Sequence, residues 1–165
     1  MADPYKGLEN DTLSTEIKHR GYFNYDNVPK AVSGFLKGRL YDYKETKIVY
    51  KPDERALEIE SDKKVNEHVK FEIKVSISAR DLKDVDLIKD GKKSTTQEGF
   101  IFVKITSKMN VEWMKRHEKA PFLQKIQAIF YRHVLKSSIG EWDGMITHDV
   151  LDLTRLLRTT MELEV

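Results

Sequence analysis

The stretch VKFEIKVSISA at positions 69–79 decides the fold. Val69, Phe71, Ile73, Val75, Ile77 and Ala79 alternate without a break with Lys70, Glu72, Lys74, Ser76 and Ser78. A period of two places one set on a dry face and the other on a wet face, as in a strand of a sheet covered on one side. The rest of the chain has to supply the neighbouring strands and the cover.

Toward the C-terminus, residues 80–83 interrupt the alternation, Val85 and Leu87 resume it, and Asp90-Gly91 marks a tight hairpin turn. The return strand is expected over 93–108. Ile101, Val103 and Ile105 share one of its faces while Phe100 and Phe102 lie on the other, so both faces need shielding. Those phenylalanines mark a covering helix or a partner surface. Toward the N-terminus, 47–51 and 57–61 flank Pro52-Asp53-Glu54-Arg55, a second hairpin through a Pro-Asp turn. A shorter strand is expected from Leu13 to near Gly21. Asn24, Asp26 and Asn27 offer caps before Pro29, which suits a first helical turn because its missing N–H would be unpaired there. A helix is therefore expected over 28–41, burying Val28, Val32, Phe35, Leu36 and Leu40. In the last third, Asn110 is expected to cap a helix over 111–118. Pro121 opens a second, which Gly140 ends, and a third covers 143–161 with Ile146, Val150, Leu153, Leu157 and Met161 as its stripe.

These elements define an α+β fold: an antiparallel sheet of five or six strands with an N-terminal helix and C-terminal helices packed on one face. Residues 1–11 are a polar lead-in and 12–165 a single domain, a length that buries a core without staples. With 39% hydrophobic and 34% charged residues at a net charge of +2, bulk charge names no partner. The absence of cysteine removes disulfides, thiolate nucleophiles and Cys-based metal sites. No stretch approaches the roughly 20 apolar residues of a membrane-spanning helix, and no secretory leader is visible, so a cytoplasmic location is expected.

No residue set assembles into recognisable chemistry. His148 and Asp152 stand one helical turn apart with Asp149 and Glu141 nearby, but a metal needs three or four ligands at a fixed spacing, and an i, i+4 pair on a wet helix face accounts for them. His133 lies among apolar neighbours and would serve either as a base or as a half-buried ring, and His117 sits among charges. Asp81, Asp84, Asp86 and Asp90 lack calcium-loop spacing and read as the wet face of a strand. Neither a Gly-x-Ser-x-Gly elbow nor a glycine-rich phosphate loop occurs. A binding module is favoured over an enzyme, with no cofactor or metal.

Charge is unevenly spread. From Lys104 to Lys136 the chain places eight lysines and arginines against two glutamates, with Trp113, Phe122 and Tyr131 interleaved. Such a segment can grip RNA or an anionic surface, through Lys115, Arg116, Lys119, Lys125 and Arg132. The plain alternative is lysines lying outward over a core of aromatics.

The order strand, helix, a run of antiparallel strands, helix resembles the helix-grip arrangement of the START-like (SRPBCC) superfamily. The resemblance spans Leu13 to Met161 on element order, with one strand fewer and a divided C-terminal helix. It implies a curved sheet wrapped around that helix and an apolar cavity holding a hydrophobic small molecule or lipid. In this chain the cavity is expected between the sheet and the helix that begins at Pro121, lined by Phe71, Val75, Ile126 and Phe130.

Overall fold

The computed structural model describes residues 13–111, 119–133 and 136–161. The elements run β1 (Leu13–Phe23), α1 (Asn27–Gly38), β2 (Asp42–Tyr50), β3 (Glu54–Lys64), β4 (Val69–Lys89), β5 (Lys92–Val111), α2 (Pro121–His133) and α3 (Lys136–Thr160). Five strands form one antiparallel sheet in the order β1-β5-β4-β3-β2. The first and last strands of the chain's sheet pair with each other, which makes β1 and β2 the two edges and sends α1 from one edge to the other.

The alternation in 69–79 holds throughout. Val69, Phe71, Ile73, Val75, Ile77 and Ala79 are no more than 1% exposed, while Lys74 opposite them is open to solvent. Cross-strand rows extend this inner face: Leu57, Ile77, Val103 and Ile17 form one, Ile59, Val75 and Ile105 the next. The cover comes from α1, through Val28, Val32 and Leu36, and from α3, through Ile146, Val150, Leu153 and Leu157, all buried. α3 lies against β1 and β5, α1 lies against β2, and the two helices touch. α2 joins this body through the buried Ala128 and Tyr131, whose hydroxyl shares a hydrogen bond with the His68 ring before β4.

Both hairpin turns form where expected. Asp90 and Gly91 have φ of 52° and 76°, the pair of positive values that a two-residue turn requires. Across Pro52-Asp53, the Lys51 N–H donates to the Glu54 carbonyl at 2.8 Å. The break at 80–83 is a β-bulge, in which Asp81 and Leu82 face the single residue Gly99. Asp81 takes φ 56°, and the Leu82 N–H reaches back to the Asp53 carbonyl at 3.1 Å.

Three expectations are corrected. β5 continues to Val111, so Asn110 and Val111 pair with Lys70 and Val69 instead of starting a helix, and residues 112–118 of that expected helix lie outside the described set. Gly140 is inside α3 on its exposed side, where a glycine weakens a helix without ending it. α1 stops at Gly38, and Leu40, expected in its stripe, is 79% exposed at φ 65°. The stop is a Schellman-type cap: the Tyr41 N–H bonds the Leu36 carbonyl at 2.9 Å and the Leu40 N–H bonds that of Lys37 at 3.1 Å. Leucine thus occupies the left-handed position that glycine normally fills.

Replacing Leu40 by Gly is expected to raise stability by about 1 kcal/mol, since it relieves left-handed strain and uncovers no core. Ile73→Ala should instead cost about 2–5 kcal/mol, as for a fully buried side chain. Urea midpoints at constant slope check both.

Candidate functional site

Next to the helices, the strongest polar cluster ties α3 to the end of α1. Arg39 donates to Asp149 Oδ1 and to Asp152 Oδ2, each at 2.7 Å, and the Tyr41 hydroxyl donates to Asp149 Oδ2 at 2.8 Å. His148 Nδ1 lies 3.1 Å from the same Asp152 oxygen. Burial, and then the adjacent Asp149 carboxylate, push the Tyr41 hydroxyl well above its usual range, so it stays a donor. Asp149 and Asp152 are thus occupied by a guanidinium and a phenol, and the cluster works as a latch between the α1–β2 connection and α3. Among the described residues no three His, Asp or Glu side chains are grouped to hold a metal ion.

The four residues expected to line a cavity fall in two places. Phe71 and Val75 are fully buried on the inner face of β4, whereas Ile126 is 50% and Phe130 47% exposed on α2. Phe122 and Ile129, also exposed, continue that outward stripe at helical spacing, while Ala128 and Tyr131 are the inward positions. Two grooves stand out among the described residues, and neither includes any of the four. Of the basic set, Lys119, Lys125 and Arg132 are exposed, and Lys115 and Arg116, with His117, lie outside the described residues. His133 is exposed as well.

Both grooves open on the outer face of the sheet, away from the helices. The first, of about 650 Å³, crosses β2 to β5 and is lined by Lys44, Glu60, Asp62, Glu72, Lys74 and their neighbours. Its charges largely satisfy one another: Lys74 is 3.9 Å from both Glu58 and Glu60, and Lys70 is 3.3 Å from Glu72. The second, of about 520 Å³, lies at the bulge between Arg20, Gly21, Arg80, Asp81, Lys83, Glu98, Gly99 and Phe100.

Between the grooves the outer face carries aromatic and cationic side chains, with Glu16 opposite Lys104 and 3.8 Å from Lys18 Nζ. Register sets Lys18 opposite Phe102, Arg20 opposite Phe100 and Tyr22 opposite Glu98, with Arg80 on the far side of Phe100. Among the described residues no helix lies on this face, and the two phenylalanines are half-buried. Lys18 Nζ sits 5.5 Å above the Phe102 ring, and the Arg80 guanidinium lies 5.2 Å from the Phe100 ring, both at cation–π distance. Tyr22 is 52% exposed beside them. Lys104, one row further on, and Arg20 form no ion pair among the described residues.

Phe100 and Phe102 are legible in the sequence as a strand face in need of cover by a helix or a partner. Lys18, Arg20 and Tyr22 are not, because only the pairing of β1 with a strand some eighty positions away brings them there. No protein-family model matches the chain, and a comparison with curated proteins finds no match. Among the described residues no helix is long and apolar enough to cross a membrane.

The shape of the second groove depends on Gly99. A Cβ there would stand 2.8 Å from the Arg80 carbonyl oxygen and 3.1 Å from that of Asp81, so any side chain has to displace backbone. Gly99→Ala is expected to cost about 1–3 kcal/mol, the usual range for overpacking. It should also broaden the amide resonances of residues 80–83 in an NMR spectrum, whereas Gly38→Ala, with open space around it, should leave them unchanged.

Proposed function

We propose that this chain is a non-catalytic module that binds single-stranded RNA on the outer face of its sheet. The observation that carries the reading is the set of three aromatic side chains, Tyr22, Phe100 and Phe102, lying among Lys18, Arg20, Arg80 and Lys104 on a face that no helix of the described residues covers. Bases stack on aromatic rings without regard to sequence, and phosphates between them need cations at the spacing of a few ångströms that neighbouring strands provide. Guanidinium planes add stacking of their own. Lys119, Lys125 and Arg132 are exposed as well.

A second reading follows the helix-grip resemblance. The START-like arrangement would place an apolar small molecule or lipid against the C-terminal helices, and the half-exposed stripe Phe122, Ile126, Ile129 and Phe130 on α2 supports it. Apolar side chains at that spacing gain from burial against any oily partner.

Fluorescence anisotropy with a labelled oligouridylate of about 12 nucleotides, across a salt series, separates the two. RNA binding should weaken steeply with salt, by roughly 0.7 decades per decade for each phosphate contacted. Phe100→Ala and Phe102→Ala should each weaken binding by about 5- to 150-fold, the equivalent of about 1–3 kcal/mol per stacked base, while melting temperature stays near that of the parent. Unchanged affinity in both variants, or tighter binding to anionic vesicles than to RNA, would overturn the reading. A thermal shift with fatty acids that is lost in Ile126→Ser would favour the apolar ligand.

A further inference from the structure

We infer that the groove at the β4 bulge is a receptor for a terminal phosphate, so that the module recognises the end of a strand; this rests on the RNA reading above. The bulge is what builds the receptor. Up to Ala79 the odd-numbered residues of β4 face inward, and unbroken alternation would turn Lys83 into the core. Two residues opposite one shift the phase, so Leu82 is buried and Lys83 faces out in the row next to Arg80. Arg20 enters from β1 on the other side of Phe100. Three cations from two strands therefore converge on one groove, and none of them has an ion-pair partner among the described residues.

Gly99 lines that groove and lets β5 pass close to the carbonyls of Arg80 and Asp81, where a Cβ would stand 2.8 Å and 3.1 Å away. The Arg80 guanidinium stays at cation–π distance from the Phe100 ring, and its N–H donors form no ion pair among the described residues. Asp81 and Glu98 also line the groove, so the cations exceed the carboxylates by one. That excess suits a single phosphate group and disfavours a polyphosphate. A phosphomonoester carries up to about two negative charges near neutral pH and three free oxygens, more than an internal phosphodiester offers. The five-stranded part of the sheet also ends at this level, where β1 stops at Phe23 and β3 begins at Glu54 opposite Arg80. A strand laid along Phe102 and Phe100 thus reaches the groove with its terminus.

The test compares three RNAs of one short sequence bearing a 5′-phosphate, a 3′-phosphate or hydroxyls at both ends, titrated into the full chain. One phosphorylated form should bind roughly tenfold tighter than the hydroxyl form, as expected for charge-assisted hydrogen bonds. Lys83→Gln should abolish that preference and leave affinity for the hydroxyl form within about twofold, since an exposed lysine away from the rings adds little else. Equal affinity for all three RNAs, or a preference that survives Lys83→Gln, overturns the inference while binding that still depends on Phe100 and Phe102 keeps the RNA reading. Absence of binding by any of the three removes both.

Discussion

The long β4–β5 hairpin is the constraint on which the rest of the molecule depends. Its two strands pair from Val69 and Val111 at one end to Lys89 and Lys92 at the turn, and they form the centre of the sheet. A hairpin of that length is set by its turn: once Asp90 and Gly91 adopt positive φ, register follows, and each inner-face residue of β4 meets an inner-face residue of β5. β1 and β3 then add to the two free edges, and α1 and α3 cover the apolar face that results. A slip of one residue would turn Ile73, Val75 and Ile77 to water, which is why this pairing is strongly specified.

The same hairpin creates the candidate site by one departure from regularity. Two residues facing Gly99 invert the phase of β4, bury Leu82 and carry Lys83 to the outer face. The cost is a left-handed Asp81 and a position where only glycine fits, and the bond from Leu82 to the Asp53 carbonyl ties the distortion to the β2–β3 turn. Bulges re-aim side chains, and here the one turned outward is the cationic Lys83. The aromatic rows on β5 lie directly beside them, so stacking and charge occupy one continuous face.

The helical side is held differently. Arg39, Tyr41, Asp149 and Asp152 join the end of α1 and the start of β2 to the middle of α3 through short bonds, in a partly buried setting. Removing one partner from such a set strands a charge, so the latch fixes how α3 sits across β1 and β5. α2 has no comparable latch among the described residues apart from Tyr131 and His68, and it keeps apolar side chains facing water. The polar latch belongs to α3, and the exposed apolar stripe belongs to α2.

Local pattern determined what depends on neighbours in the chain. The period of two in 69–79, the Asp90-Gly91 and Pro52-Asp53 turns, the stripes of α1 and α3 and the break at 80–83 were all readable, because each is fixed by residues a few positions apart. Stop signals were less reliable: Leu40 holds a glycine's place, Gly140 lies inside a helix, and Asn110 stays in a strand, since tertiary packing outweighs a propensity of about 1 kcal/mol. Phe100 and Phe102 could be seen as a face in need of cover, but not that no helix of the described residues lies over them. The facing of α2, the latch from Arg39 to Asp149, and the placing of Lys18, Arg20 and Tyr22 beside β5 were decided only by the fold, because they join residues many tens of positions apart and no local spacing encodes which distant surfaces meet.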